Sequence, residues 1–187
     1  PHARQQMRLL VRPAAAPDLP SQTGQARIWG LTGALYGLRS RQNGGLGNYA
    51  DLAGAARALA QNGAQFLGIN PIHALGWAAG DMISPYSPSH RGFFNTDHIA
   101  TEKGLGPTPA AALIDYPGFR QRHRTALQAE YDASAKSDAF AHWQKAQGPD
   151  LADFARFEAL SERHGPDFRR WPADLRQPGP AATAEAG

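Results

Sequence analysis

The clearest hydrophobic pattern in the chain is an apolar run, a helical repeat and a second apolar run. Residues 28–38 (IWGLTGALYGL) have the length and apolar content of a buried strand. After a glycine-rich turn, apolar residues recur at helical spacing: Leu52, Ala55, Ala56, Leu59 and Ala60. Residues 65–70 (QFLGIN) are the next short apolar run. This order predicts two parallel strands joined by a crossover helix.

Polar residues mark both ends of the predicted helix. Asn48 suits the N-cap position, and Asp51 places a carboxylate near the positive end of the helix dipole. Asn62 and Gly63 supply a left-handed stop at the other end. The helix is therefore expected to lie between Asn48 and Gly63.

The remaining pattern is irregular in the middle of the chain and helical in its second half. Residues 7–12 (MRLLVR) predict a short strand, and a proline-rich linker follows them. From Pro71 to Tyr116 no regular pattern is visible, and loops of this length in compact domains are usually functional or disordered. Helical segments are then predicted at residues 117–131, 137–147 and 150–164.

These patterns predict an α/β fold divided into four segments. Residues 1–24 are expected to hold a remnant of a strand-containing region and the linker. Residues 25–110 are expected to form a βαβ portion that carries a long loop on the face where the strands end. Residues 111–176 are expected to form a helical insert subdomain, and residues 177–187 a flexible tail.

Composition narrows the class of protein. The 187 residues are 42% hydrophobic and 19% charged, which is typical of a soluble globular chain. There is no cysteine, which excludes disulfides and thiolate metal sites. No apolar run approaches the roughly 20 residues of a membrane span, and the first residues lack the apolar core of a signal peptide. We expect a cytoplasmic protein with no membrane partner and, because the chain begins at Pro1, a fragment of a longer one.

Charge does not indicate a nucleic-acid partner. Lys and Arg number 19 against 16 Asp and Glu, and they are scattered except at residues 120–124 (RQRHR). That run is typical of a solvated helix face. Basic residues are not interleaved with exposed aromatic residues, so no nucleic-acid partner is expected.

Common catalytic and binding motifs are absent. Gly44, Gly45 and Gly47 lack the Walker and dinucleotide patterns, which favours a tight turn over a phosphate cradle. The seven histidines show no metal-ligand spacing. The serines near residue 86 lack a nucleophile-elbow context. We expect no metal and no cofactor.

Residues 84–95 (SPYSPSHRGFFN) have the character of a ligand-binding loop. Tyr86 offers a flat apolar face and a hydroxyl, which match a sugar ring with an apolar face and a polar rim. The flanking prolines restrict the backbone and reduce the ordering cost of binding. A second interpretation is that Tyr86 packs over the two phenylalanines as a loop plug.

The order of the motifs resembles a known enzyme family. The 4-alpha-glucanotransferases, also called amylomaltases or disproportionating enzymes, are similar over about residues 27–176. The similarity rests on these runs: RIWGLTGALYGLRSRQNGGLGNYADL, GAQFLGINPIHAL, SPYSPSHRGFFN, and DFARFEALSE with WPADLR. It implies a partial (β/α)8 barrel, first strands only, with a helical insert. It also implies transfer of alpha-1,4-glucan segments by a retaining mechanism with a covalent glycosyl-enzyme.

The resemblance assigns substrate-binding roles to residues of this chain. In that family the tyrosine of the SPY motif stacks on the sugar at the cleavage subsite, which assigns this contact to Tyr86. Ser84 and Pro85 would shape the same wall. Asn95 matches a position that supports the loop, and His73 matches the end of the second barrel strand.

The chain also departs from the family. Asn48 stands where aspartate is usual, and residues 95–98 (NTDH) replace a common asparagine-proline-leucine-tyrosine. Retaining chemistry needs two carboxyl groups about 5 to 5.5 Å apart. In the family these lie on later barrel strands, and none of the 16 acidic residues here occurs in a matching motif. We expect no catalytic residue in this chain.

Two functions therefore remain open. The first is that of a 4-alpha-glucanotransferase fragment. The alternative is a non-catalytic glucan-binding or interaction protein that reuses a half-barrel. The partners expected for glucan binding are alpha-1,4-glucans, namely maltooligosaccharides or chains of starch or glycogen.

Overall fold

The computed structural model describes residues 9–111, 113–134, 137–177, 179 and 183–185. Helices and strands alternate in the first half of these residues, and helices dominate the second half. The elements are α1 (Leu19–Thr23), β1 (Gly30–Gly33), α2 (Tyr49–Gln61), β2 (Phe66–Ile69), β3 (His73–Ala74), β4 (His90–Phe94), α3 (Tyr116–Ala133), α4 (Asp138–Ala146) and α5 (Pro149–His164).

Two parallel strands joined by α2 form the first unit of the fold. Strands β1 and β2 pair in parallel, with Gly30 opposite Phe66. Helix α2 begins with a capping box, in which Asn48 Oδ1 accepts the N–H of Asp51 at 2.9 Å and Asp51 Oδ2 accepts the N–H of Asn48 at 3.0 Å. The predicted order of strand, helix and strand is confirmed, as is the helix start at Asn48.

The first predicted strand is too long. Strand β1 ends at Gly33, and Leu35–Gly37 forms a 3-10 turn. The buried Leu35 donates its N–H to Asn70 Oδ1 at 2.7 Å. This side-chain acceptor replaces a ladder partner, so the apolar run turns into the interior instead of continuing as a strand.

The N-terminal expectations need correction as well. Residues 9–12 of the predicted strand are not in a strand, and residues 7 and 8 lie outside the described residues. The expected linker contains the short helix α1, whose first turn is capped when the N–H of Ser21 donates to Asp18 Oδ1 at 2.7 Å. A local capping bond is enough to form one helical turn despite the nearby prolines.

A second sheet lies in the region for which the sequence predicts only irregular structure. Strands β3 and β4 pair antiparallel, with His73 opposite Phe94. The loop between them, residues 75–89, is called the SPYSP loop below. Since β3 has only two residues and its pairing with β4 is irregular, the sequence carries no periodic signal for it.

The three helical segments are confirmed as α3, α4 and α5. Helix α5 packs through Leu160 and Phe157 against Trp171 and Leu175, which form an apolar cluster. Among the described residues no helix is long and apolar enough to cross a membrane. The described strands form two separate two-stranded sheets, so the mixed α/β class is confirmed, but these residues do not form a barrel.

Candidate functional site

Tyr86 lies at an exposed turn of the SPYSP loop. The N–H of Ser87 donates to the carbonyl of Ser84 at 3.1 Å and closes the turn, while Ser84 and Pro85 are partly buried beside it. The Tyr86 side chain is 73% exposed. A ring exposed to this extent is accessible to a ligand and is not packed in the interior of the protein.

The two phenylalanines of the loop-plug interpretation have other partners. Phe93 stacks on Phe154 of α5, with ring centroids 4.2 Å apart and an interplanar angle of 14°. Phe94 contacts the ring of Tyr49 with centroids 6.3 Å apart. These contacts, together with the exposure of Tyr86, argue against the plug.

Asn95 is buried directly after β4 and is held by several hydrogen bonds. Its N–H donates to the carbonyl of Ile72 at 2.8 Å, and its Oδ1 accepts the N–H of Asp97 at 3.0 Å. Its carbonyl accepts the hydroxyl of Tyr49 at 2.9 Å. Burial and these bonds place Asn95 in the framework beneath the loop.

His73 lies close to Asn95 because it pairs with Phe94, the residue before it. The Nδ1 atom of His73 is buried and has no hydrogen-bond partner among the described residues. Strands β3 and β4 form a hairpin, and the structure brings His73, at its beginning, close to Asn95, directly after its end. Tyr86 lies in the SPYSP loop that connects the two strands.

Burial of basic residues in α3 was missed from the sequence. Arg120 and His123 are 5% and 1% exposed, so the expected solvated face at residues 120–124 is wrong for these two positions. The other residues of this run are less buried: Gln121 and Arg122 are exposed, and Arg124 is partly buried. Positions three and four apart share one helix face, and that spacing next to the buried Phe119 was the available signal.

An ion pair joins α3 to the chain after β4. Arg120 Nε lies 2.8 Å from Asp97 Oδ2, and the two side chains are 6% and 8% exposed. The neighbouring His98 is also buried, with Nδ1 2.7 Å from the carbonyl oxygen of Gly47. Residues 97 and 98, which depart from the family pattern, therefore point into the protein.

Burial shifts the pKa values of several groups around this ion pair. Desolvation lowers the pKa of His98 and of His123 below 6.5. Desolvation, with the nearby Asp97 charge as a smaller cause, raises the pKa of Tyr49 to about 12. Desolvation also raises the pKa of Glu158. Burial thus favours the uncharged forms of the two imidazoles, the tyrosine and the Glu158 carboxyl group, while the backbone hydrogen bonds of His98 and His123 act in the opposite direction on their pKa values.

A cavity of about 460 Å³ lies between the hairpin and helices α3 and α5. Its walls include Trp77, Phe94, Phe154, Arg124 and Glu158. Aromatic faces combined with a few polar groups are the usual composition of a small-ligand pocket. Tyr86 is not part of this wall, so the cavity and the exposed ring are separate features.

Two buried or partly buried carboxylates near the SPYSP loop are engaged within the chain. Asp97 pairs with Arg120, and Glu158 accepts the N–H of Trp77 through Oε2. In the part of the chain that the structure describes, no group of three or more His, Asp or Glu side chains is arranged to hold a metal ion.

Comparison with known proteins gives consistent matches over most of the chain. The family model described as 4-alpha-glucanotransferase matches residues 34–187. Proteins named 4-alpha-glucanotransferase from Mycobacterium tuberculosis strain H37Rv and Mycobacterium bovis are each 32% identical over 202 residues, covering 89% of this chain and 27% of theirs. A protein of the same name from Haemophilus influenzae is 40% identical over 89 residues, covering 48% of this chain and 13% of its own. The chain thus spans only 27% of the length of the mycobacterial relatives.

Proposed function

This chain belongs to the 4-alpha-glucanotransferase family, and on that basis we propose that it supplies a substrate-binding part of an enzyme that transfers alpha-1,4-glucan segments between maltodextrins. The substrates of the proposal are maltooligosaccharides and the chains of starch or glycogen. The proposed place of action is the cytoplasm. The proposed frame is the first part of a (β/α)8 barrel, with the parallel β1–α2–β2 unit as its beginning.

The observation that carries the proposal is the exposed ring of Tyr86. Tyr86 is 73% exposed, so its aromatic face is accessible and can cover the apolar face of a glucose unit. The backbone that carries the ring is held in a turn by the hydrogen bond of 3.1 Å from the N–H of Ser87 to the carbonyl of Ser84. A preordered ring avoids part of the entropy cost that a mobile side chain would incur on binding.

The neighbouring site residues take supporting roles in the proposal. Ser84 and Pro85 form the wall beside the ring. Asn95 and His73 maintain the hairpin from which the loop extends, and the buried hydrogen bonds of Asn95 support that role. Tyr86 is therefore proposed to contact the glucan, and the other four residues to shape its surroundings.

The proposed reaction is a retaining double displacement. It needs one carboxylate as nucleophile and a second carboxyl group as acid and then base, about 5 to 5.5 Å apart. We assign neither role to a residue of this chain, because its acidic residues match no catalytic motif of the family. The ion pair of Asp97 and the backbone bond of Glu158 support that assignment.

A non-catalytic glucan-binding or interaction protein is the second candidate. It is favoured by the same observation that Asp97 and Glu158, beside the loop, have structural partners. Both candidates use Tyr86 to bind glucan, and they differ in whether glycosidic bonds are cleaved and remade.

Glucan binding by the 187-residue chain tests what the two candidates share. We would titrate the chain with maltoheptaose by isothermal calorimetry, using cellohexaose as a sugar of different linkage. Saturable binding of maltoheptaose is expected, with a loss of tenfold or more in affinity for Tyr86→Ala and a smaller loss for Tyr86→Phe. Equal affinities of the native chain and Tyr86→Ala would refute the assigned contact.

Product analysis tests the chemistry. We expect the purified chain to leave maltotriose unchanged, because the two carboxyl groups of the retaining reaction are not assigned here. Formation of glucose together with longer maltodextrins, in a preparation free of contaminating enzyme, would show that the assignment of the catalytic groups is wrong.

A further inference from the structure

The main chain leading to Tyr86 is held by one side chain of α3. Arg120 Nη1 donates to the carbonyl oxygens of Ala79 at 3.3 Å and Gly80 at 2.7 Å, and Nη2 donates to that of Met82 at 2.8 Å. One guanidinium thus binds three carbonyl groups within four consecutive residues of the SPYSP loop.

The guanidinium is oriented from its other side by Asp97. The Nε of Arg120 donates to Asp97 Oδ2 at 2.8 Å, and Asp97 itself is fixed when its N–H donates to Asn95 Oδ1 at 3.0 Å. Both side chains of the ion pair are almost fully buried. A planar guanidinium can serve a carboxylate and several carbonyls at once, which an ammonium group cannot do in the same geometry.

The loop segment has few long-range hydrogen bonds of its own. The N–H of Gly80 donates to Ala78 at 3.0 Å, and that of Met82 donates to Ala79 at 3.0 Å, which are both local turns. Local turns do not fix where a segment lies relative to the rest of the protein. The hydrogen bonds from Arg120 fix that position, because they join the loop to a helix about forty positions further along the chain.

The beginning of the loop is held in the same way. The guanidinium of Arg124, one turn further along α3, lies over the ring of Trp77 with 4.1 Å between Cζ and the ring centroid. Arg124 Nη2 also donates to the carbonyl of Trp77, while Glu158 of α5 accepts the N–H of Trp77. Helices α3 and α5 therefore bind the beginning of the loop through the backbone of Trp77, and Arg124 also contacts the Trp77 ring.

We infer that Arg120 is a positioning residue that fixes the SPYSP loop, and with it the ring of Tyr86, and that Asp97 orients Arg120 for this task. The inference rests on the proposed function in one respect, namely that Tyr86 meets a glucan. It also gives a role to the family departure at Asp97, whose carboxylate anchors the loop from inside the protein.

Hydrogen exchange measured by mass spectrometry tests the positioning directly in the 187-residue chain. The variants are Arg120→Met, which removes the charge and the donors, Arg120→Lys, which keeps the charge and removes the fork, and Asp97→Asn. Arg122→Met, on the exposed side of the same helix, is the matched control. We expect amide exchange in residues 77–86 to rise at least tenfold in Arg120→Met and by less in Arg120→Lys and Asp97→Asn. Exchange in α2 should stay as in the native chain, and Arg122→Met should change neither region.

Exchange in residues 77–86 that is unchanged in Arg120→Met would overturn the inference. If Arg120→Met fails to fold, Arg120→Lys becomes the test. Loop exchange as slow as in the native chain in Arg120→Lys would then overturn the inference equally. A uniform rise across α2 and the loop in the folded variants would also count against it, because the residue would then support the whole fold and not the loop.

Titration with maltoheptaose separates this inference from the proposed function. Arg120→Lys should weaken binding at least threefold, and the loss should be small when Tyr86→Ala is already present, since both changes act through one ring. If the native chain binds no maltoheptaose although loop exchange responds as expected, the positioning role stands and the glucan function fails. If the native chain binds through Tyr86 and Arg120→Lys binds equally well, the function stands and the positioning role fails.

Discussion

The hydroxyl of Tyr49 donates a hydrogen bond of 2.9 Å to the main-chain carbonyl of Asn95. Tyr49 is the first residue of α2, and Asn95 directly follows β4, so this bond joins the two sheet-containing units. The ring of Tyr49 also lies against those of Phe94 and His98. Tyr49 therefore fixes the end of the β3–β4 hairpin against the crossover unit.

Removal of this hydroxyl should destabilise the fold. We expect Tyr49→Phe to lower the free energy of unfolding by about 0.5 to 1.5 kcal/mol, the usual net contribution of one such bond. The measurement is urea denaturation followed by circular dichroism. Tyr86→Phe removes a hydroxyl from an exposed ring and should leave the unfolding midpoint unchanged. Equal effects of the two variants would mean that the Tyr49 bond contributes nothing to stability.

Two glycines of the first unit should respond in opposite directions to alanine. A Cβ at Gly47 would collide with the carbonyl oxygen of Leu35 and lie 2.9 Å from the Cβ of Leu38. A Cβ at Gly54, inside α2, would meet nothing within 4 Å. We expect Gly47→Ala to cost about 1 to 3 kcal/mol through overpacking, and Gly54→Ala to add roughly 0.5 to 1 kcal/mol through helix propensity. Thermal melts of both variants check this, and a stable Gly47→Ala would contradict the close approach.

Acidification should destabilise the chain through His123. Its folded pKa lies below 6.5 because of desolvation, so the unfolded state takes up the proton first as the pH falls. The stability contributed by the neutral ring is complete above pH 6.5 and is lost as the pH falls from 6.5 towards the lowered folded pKa. Nearby charges are Asp97, Glu130 and Arg124. His98 acts in the same direction, whereas Glu158, whose pKa is raised, favours the folded state more as the pH falls.

Substitution with a side chain that does not titrate isolates the His123 effect. His123→Gln should show a smaller loss of unfolding free energy between about pH 7 and pH 5 than the native chain, even if its stability at pH 7 is lower. His142→Gln, at an exposed position of α4, is the control and should keep the native pH dependence. Parallel pH profiles for the native chain and His123→Gln would rule out this histidine as the cause.

Kinetics of a transferase that contains this chain together with the catalytic carboxylates should depend on Tyr86. The distorted sugar of the transition state is expected to fit the ring better than the relaxed substrate does, so the contact should affect rate as well as binding. Tyr86→Ala should cost roughly 1.5 to 3 kcal/mol of transition-state stabilisation, about ten- to hundredfold in kcat/KM or somewhat more. Tyr86→Phe should lose less. Intact kinetics with a lowered Tm in Tyr86→Ala would restore the loop-plug interpretation.

The isolated 187-residue chain should associate or bind hydrophobic dyes. Leu31 and Phe66, on the two parallel strands, are 53% and 43% exposed, and a two-stranded sheet has unpaired edges. Light scattering and dye fluorescence measure the two effects, and Leu31→Lys should reduce both. A clean monomer with a sharp, cooperative melt and no dye binding would indicate a self-sufficient domain.

The sequence by itself determined the features that depend on neighbours along the chain. The start of α2 follows from Asn48 and Asp51, which cap each other across three residues, and the parallel strands follow from short apolar runs on either side of that helix. The sequence also predicts a ligand-binding loop at residues 84–95, since proline and tyrosine act through local stiffness and ring chemistry, and this assignment stays a prediction. The motifs further predicted the family, which the comparisons confirm.

Only the tertiary structure decided what the basic residues of α3 do. A helix face with Arg120 and His123 is polar by composition. It becomes buried because Asp97 and backbone carbonyls of the SPYSP loop lie against Arg120, and the carbonyl of Ile99 lies against His123. The pairing of β3 with β4 likewise depends on contacts between residues far apart in the chain, and β3 is too short to show alternation. Partners for a buried charge are supplied by distant segments, so the local pattern of polar residues cannot distinguish a solvated arginine from one that anchors a loop.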